Sequence, residues 1–446
     1  MVCRVCKHEL NGNICDFCGE DNTEYINADT AKTPELQNTE PKEKTQKKKT
    51  KYVLNKKKLL RLIVIIVLII LVIVGVKAFF GGENKEKVKE EKTLFTSGML
   101  GVSVNGEWGY INKDDPSIFA IAPQFGYITN YKNDIAAVRI GGKYSLIDKE
   151  GSLICEPLFD SVGFMADNGL IAVEKDGKWG YADKEGNIKI DTKYTSAEDF
   201  APNNTAVVSV SGSYGFIGDD GEYIIAPQYD MALSFTVDGS APVKTSGKWG
   251  YIDEKGAALI EPQFEEAYGF KDGFAVVKLY GSYGLIDKDG NFLIKPMFDS
   301  RFYFDGENAV ISVGGKYGMI DKNGSFVIAP SYKALKPFSE EGLAFAKRGD
   351  GKCGYINSSD EFVIPPEYDD GGSFRCGLAP VKKDGLWGYI DKDGNMVIDA
   401  KYTEASEFYD DGFAYVKGVD NSFTVINTSG KVAIVQSATA IDNLLK

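Results

Sequence analysis

A phrase returns at a nearly fixed interval along most of this 446-residue chain. Its clearest copies are Lys178-Trp179-Gly180-Tyr181, Lys248-Trp249-Gly250-Tyr251-Ile252-Asp253 and Leu386-Trp387-Gly388-Tyr389-Ile390-Asp391. In other copies Tyr144, Tyr214, Tyr283, Tyr317, Cys353 or Phe423 stands where Trp would be, and Trp108 opens the series. The ten positions are spaced 36, 35, 35, 35, 34, 34, 36, 34 and 36 residues apart. A repeat of that size is one supersecondary unit that cannot bury its own apolar face, so neighbours must stack to share a core.

Each unit has the same grammar. An apolar run follows a glycine (Gly273-Phe274-Ala275-Val276-Val277-Lys278), and a short turn leads to the aromatic-glycine run Tyr283-Gly284-Leu285-Ile286-Asp287. An Asp-Lys-x-Gly turn, Asp287-Lys288-Asp289-Gly290, precedes a third run ending Pro296-Met297-Phe298-Asp299. Short Val/Ile/Phe/Tyr-rich runs between glycine turns read as an antiparallel meander, so three strands per unit are expected. Proline, which cannot donate to a ladder, is expected to end the third strand. The glycine beside the aromatic is expected to admit a close backbone or ring. The periodic aromatics themselves read as core between units, and Asp148, Asp183, Asp253, Asp287, Asp321 and Asp391 as hairpin residues. The fold class is therefore an all-β tandem repeat of ten three-stranded units over 98–435. It forms a propeller-like or an open superhelical array, with propeller-like curvature favoured. Residues 436–446 form a tail with a short helical end-piece.

The repeated phrase resembles the WG-repeat (KWG-repeat) family of bacterial proteins. That resemblance implies a β-rich module, often on envelope or secreted proteins, and hands over no catalytic residue. Six of the ten units lack the Trp, Ser145 replaces the glycine in the second, and the last reads Ser422-Phe423-Thr424-Val425.

Three segments precede the repeats. Cys3-x2-Cys6 and Cys15-x2-Cys18 form two CxxC knuckles in residues 1–22. Two such turns suit a tetrahedral Zn²⁺ site, and four thiolate ligands leave no open position, so this metal would be structural. CRVCKHELNGNICDFCGEDN resembles the short zinc ribbons that open many bacterial membrane proteins. Residues 23–58 are polar and read as a disordered linker ending in a lysine run. Leu59–Phe80 reads as a transmembrane helix: a 15-residue apolar stretch, Leu62 to Val76, lies between Arg61 and Lys77. The lysine excess before it puts the N-terminus in the cytoplasm and the repeats outside. A cleaved signal peptide is the competing reading, but 58 residues precede the apolar segment. Residues 81–97 read as a charged juxtamembrane spacer.

Charge and histidine narrow the chemistry. The chain carries −13 overall, yet residues 98–446 hold 33 Lys/Arg against 51 Asp/Glu, a balance of −18. So acidic a region repels phosphate backbones, and nucleic acid is excluded as its partner. The single histidine, His8, lies outside the repeats, so Ser-His-Asp, Cys-His and His-ligated metal chemistry cannot be assembled in them. Cys155, Cys353 and Cys376 are no disulfide framework and read as buried small hydrophobes. No catalytic or cofactor-binding residue is assigned, and the repeat departure Asp369-Asp370-Gly371-Gly372 is too weak to name as a site. The expectation is a non-enzymatic, membrane-anchored binding or scaffolding protein with an envelope protein or glycan as ligand. The alternatives are a two-carboxylate glycan-active enzyme and an envelope sensor signalling to the cytoplasmic ribbon. The spanning segment carries no G-x-x-x-G dimerisation face for such signalling.

Overall fold

A computed structural model of the protein describes residues 92–432 and 440–441. The four clustered cysteines and Leu59–Phe80 lie outside those residues. Among the described residues there is no α-helix, and none of them crosses a membrane as one.

The described chain forms ten small antiparallel sheets, hereafter blades 1 to 10 in chain order. Eight have four strands and two have three. Blade 5 shows the plan: a two-residue strand a (Met231–Ala232), then b (Ser240–Thr245), c (Lys248–Asp253) and d (Ala258–Phe264). Strands b, c and d are the three expected from sequence. Strand a corrects that count: it pairs through only Met231↔Lys244 and Ala232↔Val243, too short to show a period.

Proline does not end strand d. Pairing steps from Tyr251↔Ile260 to Trp249↔Phe264, so three residues of strand d, Pro262 among them, bulge against Gly250 alone. A Cβ on Gly250 would stand 2.4 Å from the Ile260 carbonyl oxygen and 2.8 Å from the Pro262 nitrogen. The glycine is thus the floor on which the bulge rests, and proline sits where a ladder donor is already absent. The eight four-stranded blades share this glycine. Blade 2 carries Ser145 there, and its last run makes only isolated bridges, Tyr144↔Phe159 and Ile147↔Leu153; blade 10 carries Thr424, and most of its last run lies outside the described residues.

Alternate residues of each strand face opposite neighbours, because side chains alternate across a strand. Tyr251 packs with Phe264, Ala267, Phe270 and Ile286 between blades 5 and 6; Ile252 packs with Phe216, Ile225 and Val243 between blades 4 and 5. Each of the ten seams has its own apolar cluster. An open row of ten blades would have nine. The tenth joins Leu94, Phe95, Leu100, Val102 and Ile111 of blade 1 to Val425, Tyr409, Phe413 and Tyr415 of blade 10. Phe95 stacks edge-on to Phe413 at 5.2 Å, and Lys92 and Asp410 exchange two hydrogen bonds. Thr93–Phe95, within the segment read as spacer, are therefore part of the array.

The C-terminus completes the closure. Ala440–Ile441 form a strand, not a helical end-piece, and pair as Val102↔Ile441 and Ser103↔Ala440. That register matches Ala232↔Val243 and Met231↔Lys244, so the last residues supply the strand a that blade 1 lacks. The array is a propeller-like closed ring, and the open superhelical alternative is excluded by its tenth seam.

Candidate functional site

One row of residues recurs across the blades at the end where strand c begins. The periodic aromatic opens strand c, and its partner on strand b is often a cation held over the ring. Lys244 lies 6.0 Å from the Trp249 centroid, Lys278 5.2 Å from Tyr283, Lys382 5.9 Å from Trp387, Lys417 5.1 Å from Phe423 and Arg139 5.8 Å from Tyr144. These are cation–π pairs on cross-strand neighbours.

The periodic aromatics line the seams between blades, as read from the sequence, but they are not the deepest residues there. Trp249 and Tyr283 are buried, but Tyr317 is 37% exposed and the remaining Trp residues are half-buried. Two residues on, Tyr110, Tyr181, Tyr251, Tyr355 and Tyr389 are fully buried. Their hydroxyls donate across the seam to the next blade: Tyr110 to Thr129 O at 2.6 Å, Tyr181 to Glu198 O at 2.7 Å, Tyr251 to Tyr268 O at 2.8 Å. Tyr355 and Tyr389 reach Gly372 O and Ser406 O at 2.9 Å. Burial pushes the phenols of Tyr181, Tyr251, Tyr355 and Tyr389 far above their ordinary range, as expected of hydroxyls that act as permanent donors.

The turn aspartates behave as the sequence predicts. Asp287 Oδ1 accepts from the Asp289 and Asn291 amides, and Asp391 Oδ1 from Asp393 and Asn395. The Asn291 side chain bonding Asp287, and Asn395 bonding Asp391, hold both carboxyls below the usual carboxylate range. A second capping acid, not singled out from sequence, follows strand d. Asp230 Oδ2 accepts from Gly247 N at 3.1 Å, Glu265 Oε2 from Gly281 N at 3.1 Å, and Asp299 Oδ2 from Gly315 N at 2.8 Å, closing the b–c turns.

The repeat departure at Asp369-Asp370 is an ion-paired corner. Asp369 meets Lys352 at 2.7 Å and Asp370 meets Lys347 at 3.5 Å, and Lys352 holds the Asp369 carboxyl low. Nearby, Glu407 is clamped by Lys336 Nζ and Ser373 N, both at 2.6 Å, with Arg375 bridging to Asp410 at 2.8 Å. Burial alone would raise this carboxyl, yet Lys336, the Ser373 amide and Arg375 keep it low. Cys353 is buried and its thiol is pushed up to about 12 by burial. Cys155 is half-buried and Cys376 is exposed, against the expectation for both.

The densest polar–aromatic group lies at the seam of blades 6 and 7. Glu266 accepts from the Tyr268 and Tyr283 hydroxyls, both at 2.8 Å, and from Lys278 Nζ at 2.9 Å. Lys278 first, then Tyr268, hold its carboxyl below the ordinary range. Arg301 of blade 7 lies 3.7 Å above the Tyr268 ring. A cleft between blades 2 and 3, beside Asn130 and Phe164, has about 10 Å³, about one water's room. Among the described residues no group of three or more His, Cys, Asp or Glu is placed to hold a metal ion.

The WG containing repeat family matches the chain in nine consecutive segments running from 108–144 to 387–421, each about one period long. The chain belongs to this family. Nine matched segments between ten periodic positions agree with ten WG-repeat blades. No curated protein matches the chain. Among solved structures, the WG-repeat ring is similar to a eukaryotic initiation factor at 12% identity, covering 79% of this chain and 97% of that one, TM-score 0.47. It is also similar to BamB from Moraxella catarrhalis (13% identity, 73% and 92% covered, TM-score 0.32) and the computationally designed Ika8 protein (14%, 60% and 93%, TM-score 0.33). Likeness of this degree carries no functional argument.

Proposed function

We propose that this WG-repeat chain is a non-enzymatic, membrane-anchored binding or scaffolding protein. It presents its ring on the extracytoplasmic side to an envelope protein or glycan. The observation that carries this reading is the row of cations over aromatic rings repeated around the ring, in a protein whose conspicuous carboxylates are committed to turns and ion pairs. Rows of that kind make a broad surface of shallow contacts. Support for the anchor is the apolar run Leu62 to Val76 behind a lysine-rich segment. Support for a structural Zn²⁺ on Cys3, Cys6, Cys15 and Cys18 is their paired CxxC spacing.

The test uses the full chain in lipid nanodiscs as bait for solubilised envelope proteins and cell-wall fragments. Selective retention of a protein or glycan is expected; retention of nothing would refute the reading. Turnover of a retained glycan, abolished by one carboxylate substitution, would make the protein an enzyme instead. Metal analysis is expected to find zinc that disappears when the four cysteines are replaced by serine.

A further inference from the structure

We propose that Arg301 and Tyr303, at the seam of blades 6 and 7, form a binding site for a carboxylate-bearing sugar of the uronic-acid type. The inference rests on the binding reading above and deepens it by naming a ligand class.

Blade 7 breaks the repeat at one place. Three residues after the last aromatic of strand d, other blades set a small or aliphatic residue in strand a: Ala197, Ala232, Ala267, Leu335 and Ala405. Blade 7 has Arg301 there, following Phe298. A guanidinium cannot enter the seam unpaired. Phe302 takes the buried place instead, packing at 5.1 Å from Phe298, and strand a forms late as Phe304–Asp305. The substitution thus displaces a structural strand to put an arginine in solvent.

That arginine is held but not neutralised. Its guanidinium lies flat enough on Tyr268 for a 3.7 Å approach, and Tyr268 is itself fixed through Glu266. Glu266 is already occupied by two tyrosine hydroxyls and Lys278. The other arginines of the ring all have oxygen partners: Arg139 donates to Gly142 O, Arg348 pairs with Asp350, and Arg375 pairs with Glu407 and Asp410. Arg301 has no carboxylate partner among the described residues, in a region that carries 51 of them.

A guanidinium stacked by its face offers its N–H edge, the geometry that accepts a carboxylate through two parallel bonds. Two residues on, with Phe302 turned inward between them, Tyr303 is 72% exposed. A tyrosine so placed presents a flat ring to the C–H face of a sugar. The −18 balance of the region opposes a polyanion at long range, so a ligand with one carboxylate per site fits where a phosphate chain does not.

The test uses the full chain in nanodiscs, titrated calorimetrically with a glucuronate-containing hexasaccharide. The controls are the carboxyl-reduced form of that hexasaccharide and a glutamate-rich peptide. The acidic sugar is expected to bind, while reduction of its carboxyl, Arg301→Ala or Tyr303→Ala each weakens binding at least about tenfold. Arg301→Lys, which keeps the charge and loses the edge, is expected to fall as well. Absence of acidic-sugar binding, equal binding by the reduced sugar or by Arg301→Ala, or stronger binding by the peptide would each overturn the assignment. Tyr303→Ala, a change at a solvent-facing ring, covers the case in which Arg301→Ala unfolds the blade. If Arg301→Ala retains an envelope component as well as the wild type does, this site is wrong and the binding function stands. If neither chain retains anything, the binding function itself falls.

Discussion

Blade 2 differs from the eight four-stranded blades in one backbone-lining residue, and that difference shows what the repeat depends on. Blade 8 has Cys353 in place of the periodic aromatic and still builds all four strands. Blade 2 keeps an aromatic, Tyr144, and has no strand d. What it lacks is the following glycine: Ser145 stands there and spends its hydroxyl on Cys155 O. The glycine decides whether the bulged last strand can dock, and the Trp is one acceptable lid among several.

Substitution at the glycine should have the largest effect. Gly250→Ala puts a Cβ against the immobile backbone of Ile260 and Pro262, so denaturant unfolding should show a loss of about 3 kcal/mol or more. A neutral result would make the blade comparison a coincidence. Next comes Tyr251→Phe, which leaves the Tyr268 carbonyl unsatisfied in a buried seam and should cost about 1–2 kcal/mol in the same assay. Trp249→Phe should cost about 1 kcal/mol or less, by a small volume change. If Trp249→Phe were worse than Gly250→Ala, the ranking would be inverted and the aromatic would be the primary determinant.

The smallest effect separates turns by titration. Asp287 and Asp391 have carboxyls lowered in the folded state, so their contribution is fully present above the ordinary carboxylate range and is lost as pH falls through the lowered value, below about pH 4. Blades 8 and 10 have Asn357 and Asn427 making the same turn bonds, which do not titrate. Hydrogen exchange at the Asn291 and Asn395 amides should therefore rise in acid relative to Glu361 and Lys431. Asp391→Asn should abolish the rise for Asn395.

Much of this was legible in the residues. Strands b and c, the Asp turns and the role of the glycine follow from alternation, turn chemistry and the absence of a Cβ. Strand a is invisible because two residues cannot show a period, and Pro262 misleads because its bulge is defined by the partner strand. The periodic aromatics are seam residues as read, and Trp249 and Tyr251 share one face, but the deeper burial of Tyr251, where the next blade covers it completely, could not be read from the sequence. For the site, the readable signal was Arg301 standing where other blades carry a small or aliphatic residue; the ring of Tyr268 beneath it comes from another blade and could only be seen in three dimensions.

The central claim is that ten blades close on themselves, with Ala440–Ile441 completing blade 1 and Leu94–Phe95 filling the tenth seam. Single-particle electron images of the purified full chain test it most directly. A closed ring of ten spokes in face-on views is the predicted result; an arc with a gap between its first and last blades, or an elongated superhelix, would contradict it.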